Sequence, residues 1–455
     1  MMNEWLGRRV GVYGYGRTGR ACVEFLLPHL LNPVVLVDGL SAEQQAAYRA
    51  EAAGRFEFAF DEEIAQQLPR LDSLVLSPGV PLANPSVRAA TERGIPVLSE
   101  LELAYRYCPG YIVAVTGTNG KSTTTKMLGH VLSALGPTHV LGNIGTPLIA
   151  NLGTITQDDF VALEVSSFQL EAVDRFAPRI AVFTNLTPDH LDRHGTITEY
   201  ARLKRRMTDR MERGSFVVTN AMCPEFSPER FTNQDPVFLQ YRSTPGNRLH
   251  GAWVANRQIN VDLGAEQWEI PLECIKLPGW HNVENALAVI IAALLVGASP
   301  EIVAERLATF TGYEHRIELC RREAGVAFYN DSKATNPEAT ITALKAMDGP
   351  LALILGGRDK MTDLSEMAGW VKRKAVHVVL IGEAAGRFEQ ALREAGYNSC
   401  DFAAGLEDAV PKALVAVRAS GGRVLLSPGC ASFDQYSGYE ARGDHFKAIV
   451  ASLAL

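Results

Sequence analysis

Residues 111–132 read YIVAVTGTNGKSTTTKMLGHVL: an apolar run of strand character, a glycine-bearing turn and a segment of helical spacing, in that order. Within Gly117-Thr118-Asn119-Gly120-Lys121-Ser122-Thr123 the glycines let the backbone wrap around phosphate oxygens. Amide N–H groups at the helix start face the anion, and Lys121 adds a positive charge. A hydroxyl at Ser122 or Thr123 can ligate magnesium. The strict GxxxxGK[ST] spacing fails, because Val115 stands where its first glycine belongs. The bland alternative is a glycine-rich turn beside a solvated lysine, but strand, turn and helix follow in the order that nucleotide binding requires.

Outward from this stretch, short β-branched runs alternate with helix-length segments. RRVGVYG, PVVLVD and SLVLSPGV precede it, with a helix from about Thr18; FVALEVSS, RIAVFTNLT and SFVVTN follow it, with a helix expected from Thr198 to Met211. After GYEHRIE comes a third series, LALILGG, HVVLIG and GRVLLSPG, spaced by segments such as SEMAGWVKRKA and AAGRFEQALREAG. This alternation predicts parallel sheets with crossover helices, grouped into three α/β domains. A length of 455 residues agrees, since it exceeds what one hydrophobic core serves. The turn LSPG occurs twice, at Leu76–Gly79 and Leu426–Gly429, each after an apolar run, where ligands of open α/β sheets gather.

Composition narrows the function classes. A hydrophobic content of 47% with 21% charged residues is that of a soluble globular protein, and a formal charge of -7 offers no field for gripping nucleic acid. Anion binding must then be local. Seven cysteines (Cys22, Cys108, Cys223, Cys274, Cys320, Cys400, Cys430) are odd in number, scattered and free of any CxxC pair, so they read as reduced thiols in a cytosol. The opening MMNEWLGRRVGVYGYG lacks a long apolar region with a cleavage site, and no stretch approaches bilayer-spanning length. The expectation is an unprocessed, cytoplasmic protein with neither nucleic acid nor membrane as partner.

A second glycine cluster pulls elsewhere. Gly14-Tyr15-Gly16-Arg17-Thr18-Gly19 matches GxGxxG after a strand, and Asp38 ends the next strand at the interval of a dinucleotide site. Alone it suggests NAD. With a second phosphate loop in the chain, one loop could serve ATP and the other a nucleotide-tagged substrate.

The loop TGTNGKST resembles the shortened phosphate loop of the Mur ligase family, in which a departure at Val115 is expected. Gly142-Asn143-Ile144-Gly145 resembles that family's GNIG, and Glu164-Val165-Ser166-Ser167-Phe168-Gln169-Leu170-Glu171 is similar to the segment of its D-glutamate-adding branch. Asn185 to Asp192 resembles NxxxDHxD, and His281-Asn282 with Asn285-Ala286-Leu287 resembles HNxxNAL. His315-Arg316, Asp331-Ser332-Lys333-Ala334-Thr335-Asn336 and Ser427 to Asp434 resemble the signatures HR, DSKATN and SPxxASxD. These strings run through nearly the whole chain in the family's order, which chance does not produce.

The resemblance implies an α/β chain of three domains. They are a Rossmann-like domain binding a UDP substrate over residues 1–99, a P-loop ATPase-like central domain over 100–312, and a Rossmann-like domain for the incoming amino acid over 313–455. It implies a two-step amide synthesis in peptidoglycan precursor formation: ATP phosphorylates a substrate carboxylate, and an amine displaces phosphate. By resemblance the catalytic residues are Lys121, Glu164, His190 and Lys204. ATP contacts are Gly117 to Thr123, Asn282, Asn285, Arg316, Asp331 and Lys333. Two magnesium ions, or manganese in their place, fall to Ser122, Glu164, His190 and Lys204, the last carbamylated within the YxxxK spacing of Tyr200 to Lys204.

The same resemblance gives UDP-N-acetylmuramoyl-L-alanine as the acceptor, held by Arg17, Thr18, Asp38, Ser77, Pro78, Gly79 and Asn143. D-glutamate would meet Thr335, Lys360, Ser432 and Phe433, a cation and hydroxyls suited to a dianion. Asp38-Gly39-Leu40 departs from the Thr-Arg usual after the acidic residue, which puts one uridine contact in doubt, and the DNPR motif of the diaminopimelate-adding branch is missing. A monomer is expected, and the domains are expected to draw together about a link near Gly312-Tyr313 when nucleotide and substrate bind. Bland readings stand beside these. Lys204 among Arg202, Arg205, Arg206 and Arg210 reads as a solvated helix face, Asn282 and Asn285 as a cap and a surface residue, and His190 with His194 and Asp192 as a zinc cluster. A folate-directed ligase, a noncatalytic nucleotide binder and a dinucleotide oxidoreductase remain as other classes.

Overall fold

The computed structural model describes residues 7–29, 33–244, 248–359 and 361–453. Its long strands are apolar runs buried on both faces, as parallel sheets covered by crossover helices demand. The first sheet takes β1 (Val10–Tyr13), β2 (Val34–Val37), β3 (Glu57–Phe60), β4 (Ser73–Leu76) and β5 (Val97–Ser99) in the order β3-β2-β1-β4-β5, all parallel. The order reverses between β1 and β4, so the loops leaving those two strands lie side by side at the carboxyl edge, where such sheets bind ligands. Ser77 Oγ donates to the Gly14 carbonyl at 3.2 Å, and a Cβ on Gly19 would collide with that same carbonyl.

The second sheet takes β6 (Tyr111–Thr116), β7 (Thr138–Gly142), β8 (Phe160–Glu164), β9 (Ile180–Phe183), β10 (Phe216–Asn220), β11 (Val237–Arg242), β12 (Gly251–Ala255), β13 (Gln258–Asp262) and β14 (Gln267–Pro271). Their order is β14-β13-β12-β11-β10-β9-β6-β8-β7. The parallel reading holds from β7 across to β12 and gives way at one edge, where β12, β13 and β14 run antiparallel. Asn256 and Arg257 both adopt positive φ, 51° and 61°, as a tight hairpin turn requires. The helix expected to reach Met211 spans Ile197–Arg205 and tightens into a 3-10 turn at Arg206–Thr208. There Arg206 donates to the carbonyls of Leu170, Glu171 and Val173.

The third sheet takes β15 (Glu318–Glu323), β16 (Val326–Asn330), β17 (Leu351–Gly356), β18 (His377–Ile381), β19 (Cys400–Phe402) and β20 (Arg423–Leu426) in the order β15-β16-β20-β17-β18-β19. Only β15 is antiparallel to its neighbour. Three α/β sheets are therefore present, as the alternation predicts.

By compactness the chain divides into two units, Met1–Ile275 with Trp280–Thr309, and Lys276–Gly279 with Phe310–Leu455. The first two sheets share a unit because one apolar cluster, including Val10, Val12, Leu101, Ile112, Leu148 and Phe176, runs through both. Polar contacts reinforce it. The buried Glu102 carboxylate accepts from the backbone N–H groups of Asp174, Arg175 and Phe176 at 2.9–3.0 Å and from Arg106 Nε at 2.8 Å. Among the described residues no helix is long and apolar enough to cross a membrane.

Candidate active site

Three neighbouring strands of the second sheet deliver the phosphate-loop residues to one edge. β6 ends at Thr116, β8 pairs Glu164 with Val115, and β9 ends at Phe183, so the loop, the carboxylate and the Thr184–His190 segment emerge together. The loop is laced to its neighbour. Thr118 N–H donates to Asn185 O, Asn119 N–H to Asn185 Oδ1 (both 2.9 Å), and Thr184 Oγ1 to Asn119 O at 2.7 Å. Gly117 (φ 144°) has Thr184 Oγ1 where a Cβ would stand, and at Gly120 (φ 83°) that place is filled by Asn285 Oδ1. No side chain caps the Lys121–Leu132 helix, so its first amides stay open toward an anion.

Lys121 Nζ donates to the carbonyls of Gly117 (3.1 Å) and Thr118 (2.7 Å). Lys204 shares the first of these. Its Nζ donates to Gly117 O at 2.8 Å and lies 4.3 Å from the Tyr200 ring centre, with the residue only 1% exposed. Burial, with Lys121 nearby, holds its pKa well below the usual lysine value. The solvated-face reading of Lys204 is thereby excluded; two of its neighbours also turn inward, Arg205 donating to Glu225 O and Arg206 to three carbonyls, while Arg202 and Arg210 stay exposed.

Glu164 is buried, accepts from Asn143 Nδ2 at 2.9 Å through Oε1, and keeps Oε2 buried with no hydrogen-bond donor. An orphaned carboxylate oxygen beside a phosphate loop suits a divalent cation. His190 adopts φ 52°, is exposed, faces Asp189 at 3.4 Å and packs on Phe168 with ring centres 4.9 Å apart. His194 is different. It is buried against Ser167 Oγ (3.0 Å) and Tyr200, and its pKa is lowered chiefly by burial. Among the described residues no three His, Cys, Asp or Glu side chains gather as a metal cluster; the Asp192 side chain of the zinc reading lies outside the described residues. Asn282 and Asn285 are both buried in the Trp280–Leu295 helix and bonded to each other at 3.3 Å, which replaces the cap-and-surface reading.

In the first sheet, Arg17 opens the Arg17–Leu26 helix, with Thr18 next, behind an N-cap glycine that offers no side-chain bond. Asp38 Oδ2 already accepts from Tyr13 Oη (2.8 Å) and Asn84 Nδ2 (3.2 Å), and Tyr13 is pushed up to about 12, first by burial and then by this bond. Gly39, where the family's Thr-Arg is lacking, has φ 72° and donates its N–H to Asp61 Oδ1.

The second unit gathers the remaining residues around the ends of β16 and β20. Asp331 accepts from Ser427 Oγ at 2.7 Å and Ile317 N–H at 3.2 Å, and burial raises its pKa to about 7. Arg316 follows the positive-φ His315, and Lys333 Nζ lies 3.8 Å from the Tyr313 ring centre. Gly429 N–H bonds Ala334 O, tying the loop that carries Thr335 to the one that carries Ser432 and Phe433. Ser432 is buried and Phe433 exposed. Lys360 lies outside the described residues. Arg442, which no local sequence signal marks, is buried and donates to Ser332 Oγ, Ser332 O and Cys430 O, so it holds both loops.

Glu100 was also invisible to motif reading. It is buried where the first two sheets meet, with Oε2 accepting from Gln169 Nε2 at 3.4 Å and Oε1 unpartnered, and burial raises its pKa to about 7. A raised carboxyl pKa favours folding only while the carboxyl is neutral, so its contribution declines as pH climbs from about 4.5 to about 7. Glu100→Gln keeps an acceptor for Gln169 and removes the charge. Above pH 7 it is expected to be more stable than wild type by about 1–3 kcal/mol, with the gap closing toward pH 5; paired denaturation curves at both pH values check this.

A phosphate loop on the middle of three α/β sheets, with a buried carboxylate and a buried lysine beside it, defines an α/β protein of the phosphate-loop class. Three family descriptions match in order: the MurD-like N-terminal domain of Mur ligases over residues 8–99, the Mur ligase middle domain over 115–293, and the Mur ligase glutamate ligase domain over 315–430. The UDP-N-acetylmuramoylalanine-D-glutamate ligase of Pelotomaculum thermopropionicum is 40% identical over 100% of this chain and 99% of its own. The one from Thermoanaerobacter sp. is 38% identical over 99% of each chain. In fold, the chain is similar to the UDP-N-acetylmuramate-alanine ligase of Thermotoga maritima (TM-score 0.56, 19% identity, 98% of this chain and 99% of that one). It is also similar to the MurF ligase of the same organism in complex with ADP (TM-score 0.54, 14% identity, 100% and 97%). The chain belongs to the Mur ligase family.

Proposed function

We propose that this protein is an ATP-dependent amide ligase that joins D-glutamate to the free carboxylate of UDP-N-acetylmuramoyl-L-alanine, in peptidoglycan precursor synthesis in the cytoplasm. The observation that carries the reading is identity of 40% along the whole chain to a ligase of that name. The dinucleotide alternative is disfavoured because the same 40% identity runs along the whole chain, the Gly14–Gly19 loop included.

In this reading residues 1–99 hold the UDP substrate through Arg17, Thr18, Asp38 and the Ser77-Pro78-Gly79 turn, with Asn143 joining from the central domain, 100–312. Gly117 to Thr123, Asn282 and Asn285 hold ATP. Within 313–455, Arg316, Asp331 and Lys333 serve the nucleotide, while Thr335, Lys360, Ser432 and Phe433 serve D-glutamate. Lys121 neutralises charge on the phosphoryl oxygens as it passes to the substrate carboxylate, and the loop amides hold the same oxygens in place. The amine then attacks the acyl carbon, the C–O bond to phosphate breaks, and the amine proton leaves to solvent or a nearby base.

Magnesium, or manganese, would be held by Ser122 with Glu164 and, at a second position, by His190 with a modified Lys204, supplying the charge neutralisation that lets two anions approach. Lys204 is suited to that modification. A neutral buried amine can attack carbon dioxide, lose a proton and become a carbamate, which places an anion beside Lys121.

Oxygen tracing tests the first step. With both oxygens of the substrate carboxylate labelled with ¹⁸O, one label is expected in the released phosphate for each amide formed. Phosphate free of label alongside amide formation would contradict an acyl phosphate.

A further inference from the structure

Arg193 occupies a junction that no motif assigned. It lies three residues beyond His190, in the short Leu191–His194 helix, and its N–H bonds back to His190 O at 3.1 Å. Its guanidinium reaches the first domain, where Nη1 donates to Gly79 O at 3.2 Å and Nη2 to Val80 O at 3.3 Å. The same group forms a two-pronged pair with Glu171, Nε to Oε1 at 3.0 Å and Nη2 to Oε2 at 2.7 Å, with both side chains largely buried. It also lies 4.7 Å from the centre of the Phe168 ring, which in turn packs on His190 with ring centres 4.9 Å apart.

One planar cation thus touches three segments: the turn after β4, the Ser166–Glu171 turn after β8, and the helix that begins at His190. A forked guanidinium can bind a carboxylate with two donors and keep others for carbonyls; an ammonium cannot hold the same set. We propose that Arg193, fixed by Glu171, is a positioning residue that couples occupancy of the Ser77–Val80 turn by the nucleotide-sugar substrate to the placement of His190. This rests on the functional reading above. When the substrate's uridine or pyrophosphate engages the turn, the carbonyls of Gly79 and Val80 are held, and Arg193 transmits that order to a histidine already in a positive-φ backbone.

The test compares Arg193→Lys, Arg193→Ala and Glu171→Gln with wild type in three measurements: thermal stability, calorimetric binding of UDP-N-acetylmuramoyl-L-alanine without ATP, and steady-state kinetics. Arg193→Ala is expected to weaken substrate binding about tenfold and to lower kcat about tenfold, leaving the KM for D-glutamate within about twofold, the scale of one charge-assisted hydrogen-bonded contact. Glu171→Gln is expected to shift both quantities in the same direction by less, and the double variant to fall short of the product of the single effects. Arg193→Lys should restore part of kcat. Lowered stability with wild-type binding and kcat, in Arg193→Ala or in a folded Arg193→Lys, would overturn the coupling and leave Arg193 as structural glue. Wild-type protein that fails to bind the UDP substrate would instead overturn the functional reading and, with it, this inference.

Discussion

Lys121→Ala is expected to reduce phosphate release by roughly 10²–10³-fold or more, the loss seen when one preorganised charge stabiliser is removed from a transition state. The fold should survive. In the ligand-free protein Lys121 Nζ donates to the Gly117 and Thr118 carbonyls of its own loop, and losing such bonds should cost about 1–3 kcal/mol of stability. Circular dichroism and a melting curve alongside the phosphate assay separate the two outcomes. Turnover near wild type in a folded variant would remove the phosphate loop from the mechanism.

Lys204→Ala should be nearly as damaging, by roughly 10²-fold, but for a different reason and with a different signature. If the functional form of Lys204 is a carbamate, a short carboxylate such as acetate or propionate can enter the space left by the side chain and supply the missing anion. Activity should then return partly as that carboxylate is added, and no such rescue should occur for Lys121→Ala. Raising carbon dioxide should stimulate wild type after its removal and leave the variant unchanged. A Lys204→Ala protein that is fully active without additive would exclude the carbamate.

The two lysines also show what a sequence exposes and what it conceals. Lys121 was legible because everything that gives it meaning is contiguous: a strand, a glycine turn and a helix start within residues 111–132. Lys204 carries no such context. Four arginines within a few residues suggest a wet helix face, and only the fold reveals that Arg205 and Arg206 turn inward to backbone carbonyls while Lys204 reaches Gly117 O. That contact joins positions 87 residues apart, a separation that local pattern cannot bridge. The same limit hid Arg193, Glu100 and Arg442, each of which has a partner in a distant segment: Gly79, Gln169 and Ser332.

The hairpin edges fail for another reason. β13 (QINVD) and β14 (QWEIP) do carry a local signal, alternating polar and apolar residues, and positive-φ turns at Asn256-Arg257 and Ala324-Gly325 join β12 to β13 and β15 to β16. The strong βα alternation elsewhere draws attention from them. The parallel strands were legible by contrast because burial on both faces leaves near-continuous apolar runs such as Leu351–Gly356.

The most direct test of the account is phosphate release from ATP by the purified full-length chain with magnesium and UDP-N-acetylmuramoyl-L-alanine, supplied in parallel with D-glutamate, L-glutamate, L-alanine, L-lysine or diaminopimelate. The predicted result is release that depends on D-glutamate and on the UDP substrate together, with one amide formed per phosphate. Release driven equally by L-glutamate or another amino acid, or no release with D-glutamate in a folded protein that binds ATP, would contradict it.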